Sequence, residues 1–306
     1  MTALRLAAHV STLAALALVV PGLIVRTKSL WSGRRGAPIL QFAWDLRRLV
    51  QKTPVYSQTT TVVFRAAPYL ALATSFAAAA LVPVSGRAPL SFSGDFVLFA
   101  YLWGLGRVAL MLGALDTGSP FEGMGASREA TFSTLLEPAL FLLLGALCLA
   151  GAEPNLDALL HHRSGWPQGL LLSALTVGAL VILVQVESSR MPVDDPTTHL
   201  ELTMVHEVMI LDHSGPDLAA LELSSALKLA TGLSMIAAAL VPVKLSYSPF
   251  EGAVLQVASV IALAVGFGTV ESLFARLRMR AVPAYIAVAV GLSALALLVG
   301  AWRGAP

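Results

Sequence analysis

The chain has 306 residues, of which 57% are hydrophobic and 12% charged, with a mean hydropathy of +0.77. Soluble domains carry about 25% charged residues, so composition excludes a soluble globule. A net charge of +2 offers no dense basic face for nucleic acid, and one cysteine, Cys148, cannot by itself hold an iron–sulfur cluster, a structural zinc or a disulfide.

Apolar runs of about 20 residues are long enough to cross a ~30 Å hydrocarbon core. They predict eight transmembrane helices, at 5–25, 62–84, 94–115, 130–151, 168–186, 222–243, 252–271 and 283–303, in a single membrane domain covering 1–306. The expected fold class is therefore an all-α polytopic membrane protein. The first run, Leu6 to Val25, lacks a small-residue cleavage site before Arg26 and reads as a retained span. Lys and Arg then set the orientation. Connections after the odd-numbered spans hold twelve, against five on the opposite face, so the odd connections are expected to be cytoplasmic.

The first connection, GRRGAPILQFAWDLRRLVQKTPV, places Ile39, Leu40, Phe42, Ala43, Leu46, Leu49 and Val50 at helical spacing, with Arg47, Arg48 and Lys52 on other faces. This predicts an amphipathic helix lying in the membrane surface. The connection after the third span, LDTGSPFEGMGASREA, reads as a turn and the N-cap of the fourth span, or as a docking surface for a soluble partner.

Charged residues inside the spans need partners or water. Arg65 lies near a helix end and is expected to snorkel. Arg107 and Lys228 are expected at depths of ~14 and ~9 Å, as a structural pair with acids or as part of a proton path. Glu137, which precedes Pro138 inside the fourth span, is a carboxylate beside a helix-weakening residue and is a candidate for proton handling.

The segment 187–217 concentrates seven of the 18 acidic residues, Glu187, Asp194, Asp195, Glu201, Glu207, Asp212 and Asp217, with three of the six histidines. His199, His206 and His213 recur every seven residues, so on a helix they stand ~10.5 Å apart and cannot share one metal ion. Closely spaced carboxylates push some of their pKa values toward neutrality, which suits proton transfer. The bland alternative is a solvated loop, but the interleaved Met204, Val208, Met209, Ile210 and Leu211 argue for burial.

Three stretches, Glu187-Ser-Ser-Arg190-Met-Pro192-Val-Asp194-Asp-Pro196, His199-Leu-Glu201-Leu and Ser214-Gly215, resemble the signature loop of the subunit 1 family of respiratory complex I, the NADH:quinone oxidoreductase. Arg35-Gly36-Ala-Pro38 and Gln41-x-x-x-Asp45 are similar to further elements of that family. The closer likeness is to the membrane subunit of group 4 [NiFe]-hydrogenases, of the formate hydrogenlyase subunit 4 type. It rests on Asp116-Thr-Gly-Ser-Pro-Phe121, Gly125-Ala-Ser-Arg-Glu129, Thr198-His-Leu-Glu-Leu-Thr-Met204 and His206-Glu207. The quinone-reducing branch usually carries Glu-Thr-Asn-Arg-Ala-Pro-Phe-Asp, from which Ser188, Ser189, Met191 and Val193 depart.

The resemblance implies a non-catalytic subunit in the cell's inner membrane that couples electron transfer in a cytoplasmic module to proton or sodium translocation. Glu137, Glu187, Asp194, Glu201, His206, Glu207, Asp212, Glu222 and Lys228 would carry protons, and Arg35, Gln41, Asp45, Asp116, Arg128, Glu129 and Arg190 would dock partners or form ion pairs. It implies no cofactor in this chain, with the [NiFe] centre and iron–sulfur clusters held by hydrogenase large and small subunits and an iron–sulfur subunit, beside antiporter-like membrane subunits. Its rivals are a quinone-chamber subunit and an independent secondary transporter.

Overall fold

A computed structural model describes residues 2–151, 155–161, 167–194, 204–241 and 249–304. Its helices are α1 (Thr2–Trp31), α2 (Gln41–Val50), α3 (Val62–Ala79), α4 (Asp95–Asp116), α5 (Pro120–Ala150), α6 (Leu156–His161), α7 (Pro167–Glu187), α8 (His206–Met209), α9 (Gly215–Leu240), α10 (Pro249–Leu273) and α11 (Val282–Gly304). A 3-10 turn, Met279–Ala281, leads into α11, and no strand occurs among the described residues. Eight of these helices (α1, α3, α4, α5, α7, α9, α10 and α11) are long and apolar enough to cross a bilayer. Helices satisfy their backbone hydrogen bonds internally, which hydrocarbon demands. The chain is an all-α polytopic membrane protein.

Three of these helices outrun their apolar cores on the face of the odd-numbered connections. α1 continues to Trp31, α5 begins at Pro120 rather than near 130, and α9 begins at Gly215 rather than near 222. The added turns carry Thr27, Lys28, Glu122, Arg128, Glu129 and Asp217, polar residues that a search for apolar runs cuts off. Helical hydrogen bonding continues past the hydrocarbon boundary, and so several functional candidates sit on helix rather than loop.

α9 is the central helix. Protein covers 83% of its apolar window, against 28% for α10 and α11, and it packs against α1, α2, α3, α7 and α10. Its composition allows this. Ala219, Ala220, Ser224, Ala226, Ala230, Gly232 and Ala237 let neighbouring backbones come close on every side. At Gly232, an added Cβ would lie 2.6 Å from a Val184 methyl of α7.

Around this hub, α3 pairs with α4 and α5 with α11. Gly106 and Gly113 of α4 fit against Thr74 and Ala67 of α3. Asp116, at the end of α4, caps α3. Its carboxylate accepts hydrogen bonds from Thr61 N (2.6 Å), Thr61 Oγ1 (2.8 Å) and Phe64 N (3.2 Å).

The surface helix lies where the amphipathic pattern put it. α2 has no buried residue, packs against α9 and α1, and exposes Trp44 and Val50 as well as Arg47 and Arg48. Two glycines set the approach of the non-membrane segments. A Cβ on Gly22 of α1 would overlap the Ile39 carbonyl, just before α2, and one on Gly125 of α5 would overlap a Val208 methyl of α8.

The fixed backbone at Ile39 leaves Gly22→Ala nowhere to relax. We expect it to cost at least about 1–3 kcal/mol, the range for overpacking, and to lower the thermal unfolding midpoint in detergent. Gly125→Ala should cost a similar amount, because its Cβ would meet the buried Val208 and Met209 side chains and, at 3.0 Å, the Val205 carbonyl. Equal midpoints for wild type and Gly22→Ala would show that this contact does not fix α2.

Candidate functional site

Glu187 ends α7, where the helix dipole disfavours an anion, and its side chain is only 2% exposed. Two cations compensate. Lys228 Nζ of α9 donates to Glu187 Oε1 at 2.9 Å, and Arg107 Nε of α4 lies 3.4 Å from Oε2. Arg107 also donates to Ser133 Oγ of α5 at 2.9 Å and lies 3.5 Å from Glu137 Oε1. The deep cations thus have the acidic partners that the sequence required of them. Glu129 has Arg107, Glu187, Lys228 and Asp194 as its charged neighbours. Three carboxylates, Glu129, Glu137 and Glu187, therefore face two cations.

Lys228 stands thirteen residues into α9 and Glu137 seventeen residues into α5, ~20 and ~26 Å along the axes from helix starts that lie beyond the apolar core. Glu137 does not lie inside the bundle. Its side chain is 48% exposed, on the outer face of α5, while Arg107 behind it is 6% exposed. The charged chain runs from the buried end of α7 to a carboxylate on the membrane-facing surface.

A second charged group ties the acidic segment to the other side of the bundle. Asp194 accepts from Val205 N and His206 N, both at 3.1 Å, and pairs with Arg276 at 2.8 Å. Glu271 of α10, fully buried at its side chain, lies 3.1 Å from Lys28 and 3.8 Å from Arg190. Arg190 and Asp45 are the charged neighbours of Glu222. Asp194 and Arg190 therefore hold the segment in place whatever else they do.

The remaining candidates are more scattered. Arg35 and Asp212 are exposed, while Glu207, the second residue of α8, has intermediate exposure. Gln41 donates to Asp45, which lies 3.7 Å from Arg48, so these residues stabilise α2 locally. Arg128 donates to Met204 O at 2.7 Å. Glu201, with His199, falls outside the described residues.

Sequence reasoning missed Glu271 and Glu122. Glu122, buried in the first turn of α5, accepts from Asp212 N at 3.0 Å. The available signal was an isolated acid next to an apolar run, which shows that a partner is needed without naming it.

Two histidines in this region are neutral near pH 7. Burial, reinforced by Lys228 and opposed by Glu187, pushes the His206 pKa down to about 4. His213 stacks on Phe64 with ring centroids 3.9 Å apart and 4° between planes, and burial, opposed by Asp217, brings its pKa down to about 4.

The family model for NADH dehydrogenase matches residues 5–301, nearly the whole chain. The chain belongs to the NADH dehydrogenase subunit 1 family. Among curated members of that family, it is 28% identical over 231 residues to formate hydrogenlyase subunit 4 of Escherichia coli K12, covering 74% of each chain. It is 30% identical over 213 residues to hydrogenase-4 component C of the same organism, covering 68% of this chain and 66% of that one. A relative from the NADH-quinone oxidoreductase of Phenylobacterium zucineum is 24% identical, over 61% of this chain and 58% of its own. The fold is similar to that of a chain in the membrane-bound sulfane sulfur reductase, an archaeal respiratory membrane complex. That match has a TM-score of 0.79 at 17% identity and covers 98% of this chain and 99% of that one.

Lys228→Met leaves Glu187 short of one cation and should destabilise the fold by about 3–5 kcal/mol, as breaking buried pairs does. Lys228→Arg should retain most of the stability, and equal melting of wild type and Lys228→Met would show that Arg107 alone suffices. His213 is unprotonated when folded but titrates near 6.5 when exposed. Its contribution to stability is therefore complete above about 6.5 and is lost as pH falls toward 4. Amide exchange at 204–214, corrected for its intrinsic rate, should quicken between pH 7 and 5, and His213→Phe should weaken that dependence, leaving the share that His206 contributes. An identical pH profile in the variant would contradict this assignment.

Proposed function

We propose that this chain is the membrane-anchoring, proton-relaying subunit of an energy-converting [NiFe]-hydrogenase complex of the formate hydrogenlyase type. In this reading it sits in the cell's inner membrane with the odd-numbered connections cytoplasmic. The observation that carries the proposal is the line from Glu187 through Arg107 to Glu137. It begins beneath the acidic segment and ends at an outward-facing carboxylate within the membrane.

The chemistry of this line is proton exchange at carboxylates, without bond-making elsewhere. With three carboxylates against two cations, the cluster is neutral only when it holds one proton. An electron arriving in a module docked on the 187–213 segment adds negative charge nearby and draws a proton onto the cluster. Arg107 lies between Glu187 and Glu137, and Ser133 holds its guanidinium in place. A proton on Glu187 weakens one of its ion pairs and leaves the guanidinium to Glu137, so charge at one end is felt at the other. Lys228 keeps Glu187 anchored while this happens. The nickel and iron–sulfur groups belong, in this account, to the partner subunits.

Glu137 also suggests where a membrane partner sits. An ionised carboxylate left against lipid costs several kcal/mol. An antiporter-like membrane subunit covering the outer face of α5 would remove that cost and accept the proton.

The test is proton translocation by the purified complex in proteoliposomes, measured beside electron transfer. Glu137→Gln should leave assembly and electron transfer in place while slowing translocation by about a hundredfold, the effect of removing a proton-transfer group. Glu137→Asp should restore part of it. An unchanged ratio of protons to electrons in Glu137→Gln would overturn the relay.

A further inference from the structure

A cavity of about 610 Å³ lies between α1, α2, α3 and α9, apart from the charged line. Its walls include Leu18, Leu46, Tyr69, Ala73, Phe76 and Leu227. The one polar side-chain group among the lining residues is the Tyr69 hydroxyl, which donates to Asp217 Oδ1 at 2.8 Å and is thereby committed. No donor remains in the wall to orient a polar head such as a quinone carbonyl. The shape suits a flexible hydrocarbon tail.

The position of the cavity specifies what that tail is attached to. Leu46 of α2 roofs one end. The exposed Leu40, Trp44 and Val50 place α2 at the interface, as in other amphipathic surface helices. From Tyr69 to Phe76 the wall runs ~10 Å along α3 toward the bilayer interior. Beside the roof, Arg47, Arg48 and Lys52 are exposed, and the connection 32–61 holds five Lys and Arg with only Asp45 as an acid. A basic surface above an apolar slot matches a molecule with an anionic head and an acyl chain.

We infer that this cavity seats an acyl chain of an anionic phospholipid, whose phosphate lies on the basic face of α2. The lipid would wedge the surface helix against α1, α3 and α9 and fix its height in the membrane. This site does not depend on the proton-relay reading.

The experiment is photolabelling of the full complex in nanodiscs with phosphatidylglycerol that carries a diazirine in one acyl chain. Two comparison probes are phosphatidylcholine with the same chain and a photoreactive quinone with a similar tail. Phosphatidylglycerol should label the cavity lining at Phe76 and Leu227 well above the outward-facing Leu170. Ala73→Phe, which fills the slot, should bring that labelling down to the Leu170 level. Arg47→Gln with Arg48→Gln lies outside the core and leaves the cavity intact. It should reduce the preference for phosphatidylglycerol over phosphatidylcholine by about fivefold for each arginine. Preferential labelling by the quinone, equal labelling by the two phospholipids in wild type, or unchanged labelling in Ala73→Phe would each overturn the assignment.

Discussion

Everything in this bundle is arranged around one buried carboxylate, Glu187, held between Lys228 and Arg107. Burial of an ion is tolerated only when its charge is balanced nearby. The compensation here comes from two different helices, α9 and α4, so the end of α7 cannot move without breaking contacts to both. α9 can present a lysine at this depth because small residues let protein surround it on all sides. The ammonium therefore meets carboxylate rather than lipid.

The acidic segment that follows α7 divides its charges between two tasks. Asp194, with the Val205 and His206 amides and Arg276, folds the segment back on itself, and Arg190 reaches toward Glu271. Glu122 holds the far end through Asp212 N. These contacts close a scaffold in which Glu187 and Glu129 stay against the cations. His206, beside Lys228 and Glu187, fits the same scheme, since a neutral ring adds no positive charge to the cluster. The acids that clamp and the acids that face the cations are interleaved in sequence and separated in space.

The sequence made the architecture legible because hydropathy reports the hydrocarbon boundary directly. The eight spans, the surface helix α2 and the need of Arg107 and Lys228 for acidic partners all came from that single physical requirement. Helix ends were less legible where polar turns continue a helix past the lipid, as at Glu122, Glu129 and Asp217. Pairing across the bundle was not legible, because Glu271 and Lys28 are more than 240 residues apart and only the packing of α1 on α10 joins them. Asp116 shows the same limit, since its connection read as a turn and cap of the following span, whereas its side chain caps α3, more than 50 residues earlier. The outward orientation of Glu137 was also hidden, since helical periodicity is silent about which way α5 rotates in a helix that is apolar all round.

Family membership and geometry bear on different questions. Membership places the chain among membrane subunits of hydrogenase and quinone oxidoreductase systems, whereas the charged line gives a physical reason for such a subunit to exist. The central claim is that Glu137 takes up or releases a proton when the redox partner changes state. Infrared difference spectroscopy of the assembled complex, recorded between its oxidised and reduced forms, tests that claim most directly. The account predicts a protonated-carboxyl band that disappears in Glu137→Gln and persists in Asp212→Asn. A difference spectrum unchanged by Glu137→Gln would contradict it.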